Sequence, residues 1–310
     1  MKKQRNNFTS LDYFRKTYNS KSICLQEVFK ARLQKTPFCV NAPECNAPTE
    51  EFYVLNVKTG KFICKNCNYT HSATEGTIFG NTYIPIEHLF DMINTFMHSR
   101  HGWTARAMSA ECGYSERWCF DFLREIRELM GKENKRTFYG FIESDETYAK
   151  TGSNGRGRNY KKKRGRNNDD KTPVMAMLQR GKQNKVIAFA VKDCSALSLI
   201  PLIEKHVVKG STILTDEWGG YVSLNKKGYN HNVVKHKEKE WVNGCACTNN
   251  LELFFRHFKR TIRTYTCVTR EYIQDYVNEC VYRWNYRTEK DVMFFSLLEN
   301  LPPLKFLPKL

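Results

Sequence analysis

The stretch Phe138-Tyr139-Gly140-Phe141-Ile142-Glu143-Ser144-Asp145-Glu146-Thr147-Tyr148 reads as a β-strand that Asp145 interrupts. Working outward from it, apolar runs predict strands over 174–179, 186–191 and 212–215, with a helix over 196–207. Two further helices are expected over 249–264 and 270–284. Strands interleaved with helices make this half of the chain an α/β domain. Asp216 stands just past the apolar strand Thr212-Ile213-Leu214, and Glu252 lies in the first turns of the helix that opens at Thr248-Asn249-Asn250-Leu251-Glu252. A strand, a strand end and a helix can bring three carboxylates to one point, where oxygen-seeking Mg²⁺ or Mn²⁺ is favoured. Phosphodiester chemistry uses such a site, because two metal ions about 4 Å apart neutralise both the attacking and the leaving oxygen.

The 32 acidic residues offer many triplets, and it is placement on these three elements that singles this one out. On the last of them, Leu251, Phe254, Phe255, Phe258 and Ile262 form an apolar stripe, while Asn249, Glu252, Arg256 and Lys259 gather on another side. Glu252 therefore stands beside basic groups suited to DNA phosphate. The competing reading is an ordinary solvated face with a Glu252–Arg256 pair four residues apart.

The chain has 310 residues, long enough for two or three domains, with 41% hydrophobic content. Fifty Lys and Arg against 32 Asp and Glu give a net charge of +18, which favours a polyanionic partner, nucleic acid first. Much of the excess falls in the segment 150–171, a basic loop that carries Arg156, Arg158, Lys161, Lys162, Lys163, Arg164 and Arg166. Placed directly after the first acidic strand, it is suited to phosphate contacts that position DNA without reading sequence. No run of eighteen apolar residues and no secretory leader pattern is found, so neither a membrane span nor export is expected.

The twelve cysteines are scattered, and only close spacings justify a metal reading. Cys39-x5-Cys45 and Cys64-x2-Cys67 flank β-prone stretches at 51–55 and 61–63, split by the turn Lys58-Thr59-Gly60. Four thiolates on such a hairpin predict one structural Zn²⁺ in a closed tetrahedral shell. Before it, helical periodicity predicts a short helical lead-in. After it, Pro85 opens an amphipathic helix, and helices over 104–111 and 116–130 are joined by the turn Cys112-Gly113-Tyr114-Ser115, with Ser115 as N-cap. That is helix-turn-helix grammar, and Arg117, Arg124 and Arg127 are candidate DNA contacts on its second helix.

In this order the motifs resemble the DDE transposases of bacterial insertion sequences, specifically the ISXO-like branch allied to the Merlin transposons. The carriers are the cysteine pairs, Glu75-Gly76-Thr77-Ile78-Phe79, the helix-turn-helix, Glu143-Ser144-Asp145-Glu146-Thr147-Tyr148, Leu214-Thr215-Asp216-Glu217, His236, Thr248-Asn249 through Glu252 to Lys259-Arg260, and Tyr282-Arg283-Trp284-Asn285-Tyr286-Arg287. Two positions depart from the pattern: Ala149-Lys150-Thr151-Gly152 stands where paired glycines are usual, and Phe255 where Trp is common.

The resemblance implies a ribonuclease H-like mixed-sheet catalytic domain preceded by a zinc ribbon and a helical DNA-binding segment. The corresponding divisions are a lead-in 1–36, ribbon 37–72, helical segment 73–135, catalytic domain 136–290 and tail 291–310. It implies recognition of terminal inverted repeats and cut-and-paste transposition. Asp145, Asp216 and Glu252 would hold two Mg²⁺ or Mn²⁺, with Asn249, Lys259 and His236 in support and Arg256 and Arg260 on DNA. The third ligand is Glu252 or Asn249, and a carboxylate's stronger hold on Mg²⁺ favours Glu252. The partners implied are double-stranded repeat and target DNA and at least a second copy of the chain. The compartment is the nucleoid-bearing cytoplasm of a bacterium, or the nucleus of a eukaryotic host. The competing reading is a domesticated, non-catalytic, sequence-specific DNA-binding protein.

Overall fold

The computed structural model describes residues 11–41, 43–80, 82–100, 102–151, 171–217, 219–233, 249–266, 268–290 and 292–305, and for Asn249 the backbone alone. The chain divides into two compact units. The first comprises Met1–Trp103, Asp121–Leu129 and Glu289–Leu310, and the second Thr104–Phe120 and Met130–Thr288. No described helix is long and apolar enough to cross a membrane.

In the first unit, helices α1 (Leu11–Thr17) and α2 (Lys21–Leu33) form the expected lead-in. The stretch expected as a strand from residue 51 begins instead as a helical turn, α3 (Thr49–Phe52). Pro48 precedes it and Glu50 and Glu51 occupy its first turn, both favourable at a helix start. Strands β1 (Tyr53–Asn56), β2 (Lys61–Cys64) and β3 (Thr70–Ser72) follow as an antiparallel sheet. Gly60 turns the first hairpin at φ +70°, which an L side chain would resist. Phe62 lies at the centre, its ring 4.8 Å from Tyr53 and 5.9 Å from Phe29.

Helix α4 (Ile86–His98) buries its predicted stripe of Ile86, Leu89, Phe90, Met92, Ile93, Phe96 and Met97. The segment expected as a tail carries α10 (Met293–Glu299), whose Phe294 meets Phe14 and Phe90 at 4.8 and 5.0 Å. Buried Arg32 donates to the carbonyls of Ala73, Pro302 and Pro303, fastening the C-terminal segment to α2.

The second unit contains α5 (Ala105–Cys112) and the start of α6 (Glu116–Met130), separated by Gly113 at φ +77°. The expected cap forms, Ser115 accepting from the Trp118 amide, and the Thr104 side chain caps α5 by accepting from the Ala107 amide. A five-stranded mixed sheet follows, built from β4 (Phe141–Lys150), β5 (Lys171–Gln179), β6 (Lys185–Ala190), β7 (Thr212–Thr215) and β8 (Asn230–Val233) in the order β6-β5-β4-β7-β8. Strands β4, β5 and β6 pair antiparallel, and β4, β7 and β8 parallel. The mixed α/β character expected of this half is therefore present. The short polar β8 had no sequence signature.

Helix α7 (Ala196–His206) covers one face of this sheet with Leu199, Ile200 and Ile203. Helices α8 (Asn249–Thr264) and α9 (Ile273–Asn285) cover the other. Edge strand β6 is closed by side-chain amides. Asn285 both accepts from the Val186 amide and donates to its carbonyl, Asn134 accepts from Ala188, and Gln274 accepts from Ala190. An edge satisfied in this way offers no template to a foreign strand.

Candidate active site and metal centre

Side chains alternate across β4. Ile142, Ser144 and Glu146 face α7, while Glu143, Asp145 and Ala149 face α8. Parallel pairing sets Glu143 beside Leu214. Two residues further along each chain come Asp145 and Asp216, so the register brings the two aspartates to neighbouring positions. Helix α8 buries Leu251, Phe254, Phe255, Phe258 and Ile262 against this face, as its periodicity predicts. Glu252, Arg256, Lys259 and Arg260 are exposed on its other side.

The electrostatics register this convergence. The Asp145 carboxyl is pushed up to about 7, first by burial and then by the charges of Asp216 and Glu252. A hydrogen bond from the Glu146 amide, 2.7 Å from Oδ1, and the ammonium of Lys259 act in the opposite sense. In the metal-free chain the three carboxylates sense one another, but among the described residues only the four cysteines form a compact cluster of potential metal ligands.

The two other acidic groups of β4 are engaged. Glu143 accepts Arg180 Nε and Asn250 Nδ2 at 2.7 Å and the Leu251 amide at 3.0 Å. Glu146 accepts the hydroxyl of Tyr221, a fully buried residue in the 3₁₀ turn Gly219–Tyr221, which also lies 3.2 Å from Ser144 Oγ. Burial beside Glu146 drives the Tyr221 phenol well above its ordinary value. These partners were missed in the sequence. Their one trace was a run of acidic residues in a strand too central to be solvated.

Of the residues expected at DNA, Arg117 and Arg124 are exposed on α6. Arg127 is not: at 2% exposure its guanidinium lies over the Phe96 ring, 5.6 Å from the centroid, and it serves packing in place of the expected DNA contact. The side chain of Asn249, together with His236, Arg156, Arg158, Lys161, Lys162, Lys163, Arg164 and Arg166, lies outside the described residues.

In the first unit, Cys39, Cys45, Cys64 and Cys67 bring their sulfurs within 4.8 Å of one another. The Cys39–Cys67 and Cys45–Cys64 separations are 3.7 and 3.9 Å, and all four thiols are free. A tetrahedron with about 2.3 Å metal–sulfur bonds has edges of about 3.8 Å. Tyr53 Oη donates to Cys39 Sγ at 3.3 Å, Asn66 Nδ2 to Cys45 Sγ at 3.3 Å and Asn41 Nδ2 to Cys67 Sγ at 3.8 Å. Donors aimed at sulfur from outside the cluster suit thiolates that already share a cation.

Residues 137–285 match the family model of the ISXO2-like transposase domain. Over 271 residues the chain is 22% identical to an uncharacterized protein in transposable element ISH50 of Halobacterium salinarum, an alignment covering 84% of this chain and 90% of that protein. A stretch of 101 residues is 25% identical to an uncharacterized transposase-like protein of Haemophilus influenzae, covering 33% of this chain and 81% of that one. The domain match and both relatives support the resemblance to insertion-sequence, DDE-type transposases.

The elevated Asp145 carboxyl sets a pH dependence. Its folded value lies above its unfolded value, so the stability it contributes is complete below the unfolded carboxylate range and is lost as pH rises through about 7. In chelator-treated protein, urea unfolding should show stability falling between about pH 4 and pH 7. Asp145→Asn should flatten that fall, and an unchanged slope in the variant would remove Asp145 as its source.

Proposed function

We propose that the protein is a DNA transposase that binds terminal inverted repeats and catalyses strand cleavage and strand transfer at Asp145, Asp216 and Glu252. The observation that carries this reading is the approach of carboxylates from the end of β7 and from α8 to the buried Asp145 of β4, whose carboxyl is raised to about 7 by burial first and by Asp216 and Glu252 in addition. Such crowding is what a divalent cation relieves, and all-oxygen donors suit Mg²⁺ or Mn²⁺. When bound, two such ions would neutralise the developing charge on the attacking and leaving oxygens. The mixed sheet in the order β6-β5-β4-β7-β8, with helices on both faces, supports reading this domain as ribonuclease H-like.

Within this reading, Asp145 and Asp216 are ligands from the rigid sheet and Glu252 is the ligand from the helix, with Asn249 in support. Lys259 sits close enough to act on Asp145 electrostatically and supplies positive charge where a scissile phosphate would lie. Exposed Arg256 and Arg260 continue that charge along α8 and hold the DNA backbone. In the first step a water oxygen forms a bond to phosphorus and the bond to the 3′-oxygen breaks, freeing a 3′-hydroxyl. In the second, that hydroxyl attacks a target phosphodiester and loses its proton, while the target's own 3′-oxygen leaves.

The α5–α6 pair serves as a helix-turn-helix, with Arg117 and Arg124 directed to DNA. The segments 37–72, 73–135 and 136–290 act as zinc ribbon, DNA-binding segment and catalytic domain, and two copies hold the two element ends. His236 and the basic loop at 150–171 contribute at the DNA.

The Cys39, Cys45, Cys64 and Cys67 quartet holds one structural Zn²⁺. Protein purified without chelator should contain about one zinc per chain by elemental analysis. Cys64→Ser should reduce that content and lower the melting temperature, and a zinc-free wild type of undiminished stability would contradict the assignment.

For catalysis, end-labelled DNA carrying the element's terminal repeat should be cut at the repeat boundary only with Mg²⁺ or Mn²⁺. Asp145→Ala, Asp216→Ala and Glu252→Ala should each lower the rate by at least about a hundredfold, with Asn249→Ala affected less. Tight binding of that DNA without nicking under either metal would replace this reading with that of a non-catalytic DNA-binding protein.

A further inference from the structure

We propose that Glu143 is a positioning residue: its buried carboxylate fixes the start of α8 against β4 and so sets the distance at which Glu252 stands from Asp145. This rests on the reading of Asp145, Asp216 and Glu252 as the divalent-metal site. Glu143 is fully buried two residues before Asp145 on the same face of the same strand. Both of its oxygens reach the start of α8, and one of them also holds Arg180 just past β5. Oε1 accepts Arg180 Nε and Asn250 Nδ2, each at 2.7 Å, and Oε2 accepts the Leu251 amide at 3.0 Å.

Leu251 is the third residue of α8, where a backbone N–H has no partner inside the helix, and the next residue is Glu252. One carboxylate from the strand therefore caps the helix that supplies the third acidic group. It complements the positive end of the helix dipole as well. Asn250 also accepts Asn184 Nδ2 at 3.2 Å, which anchors the helix start to the turn between β5 and β6.

Stability alone does not account for this arrangement. A buried ion pair gains little over well-packed apolar side chains, and the apolar core formed by Leu178, Val186, Leu251 and Phe254 lies immediately alongside. What the two directed hydrogen bonds to Asn250 and Leu251 provide, and an apolar contact cannot, is a fixed axial and rotational setting of the helix start. Without them the stripe of Phe254 and Phe258 would hold α8 to the sheet while leaving its first turn free to shift, and Glu252 with it.

The test is Mn²⁺ binding by full-length protein without DNA, followed by the electron paramagnetic resonance signal of free Mn²⁺, in wild type, Asp145→Ala, Glu143→Gln and Asn250→Ala. Hydrogen exchange at the Leu251 amide is measured on the same samples without metal. Glu143→Gln and Asn250→Ala should each weaken Mn²⁺ binding by about 10- to 100-fold. Combining them should add little to the effect of Glu143→Gln alone, and Leu251 exchange should accelerate in both.

Asp145→Ala should abolish the binding. If it does, while a folded Glu143→Gln binds Mn²⁺ within about twofold of wild type, the positioning role is overturned and the metal site stands. If Asp145→Ala binds as wild type does, the metal site itself is wrong and the proposal falls with it. Should Glu143→Gln not fold, Asn250→Ala, which removes a single side chain at the half-buried helix start, decides by the same twofold criterion.

Discussion

A carboxylate withdrawn from water must find hydrogen bonds, a counter-charge or a proton. Strand β4 runs through the middle of a five-stranded sheet and carries three acidic side chains into that position. Glu143 is answered by Arg180 and the start of α8, and Glu146 by the hydroxyl of Tyr221. Asp145, between them, receives one backbone amide, and it faces Asp216 and Glu252. The two compensated acids fasten the flanking elements, α8 on one face and the turn after β7 on the other. The third, withdrawn from water beside two further carboxylates, has its carboxyl raised to about 7. In the proposed reading, binding and scaffolding are thus divided among neighbours within four residues of one strand.

The four cysteines of the first unit follow the same logic with softer atoms. Their sulfurs sit at the edge lengths of a metal–thiolate tetrahedron while Tyr53, Asn41 and Asn66 donate to them from outside. Four thiolates make a closed ligand set, whereas the metal site proposed at Asp145, Asp216 and Glu252 would be open to water and substrate.

Much of this was legible in the sequence because it is periodic or local. The stripes of α4 and α8, the cap at Ser115 and the cysteine spacing all depend on residues a few positions apart. Asp145, Asp216 and Glu252 could be picked out because each sits at a recognisable strand, strand end or helix start. What could not be read depends on distant partners. Glu143 meets Leu251 across 108 positions and Ser144 meets Tyr221 across 77. Arg127 looked like a surface cation because helical periodicity shows which face is apolar, not whether a long side chain at its margin folds over a ring such as Phe96. Residues 51 and 52 have strand-like neighbours, yet Pro48 and the acidic first turn win locally and open a helix.

Whether Asp145, Asp216 and Glu252 together hold divalent metal is tested most directly by anomalous X-ray scattering from crystals soaked in Mn²⁺. Two Mn²⁺ peaks about 4 Å apart, each within bonding distance of Asp145 or Asp216 and one touching Glu252, are the predicted result. A map at saturating Mn²⁺ with no peak among these three carboxylates would contradict it.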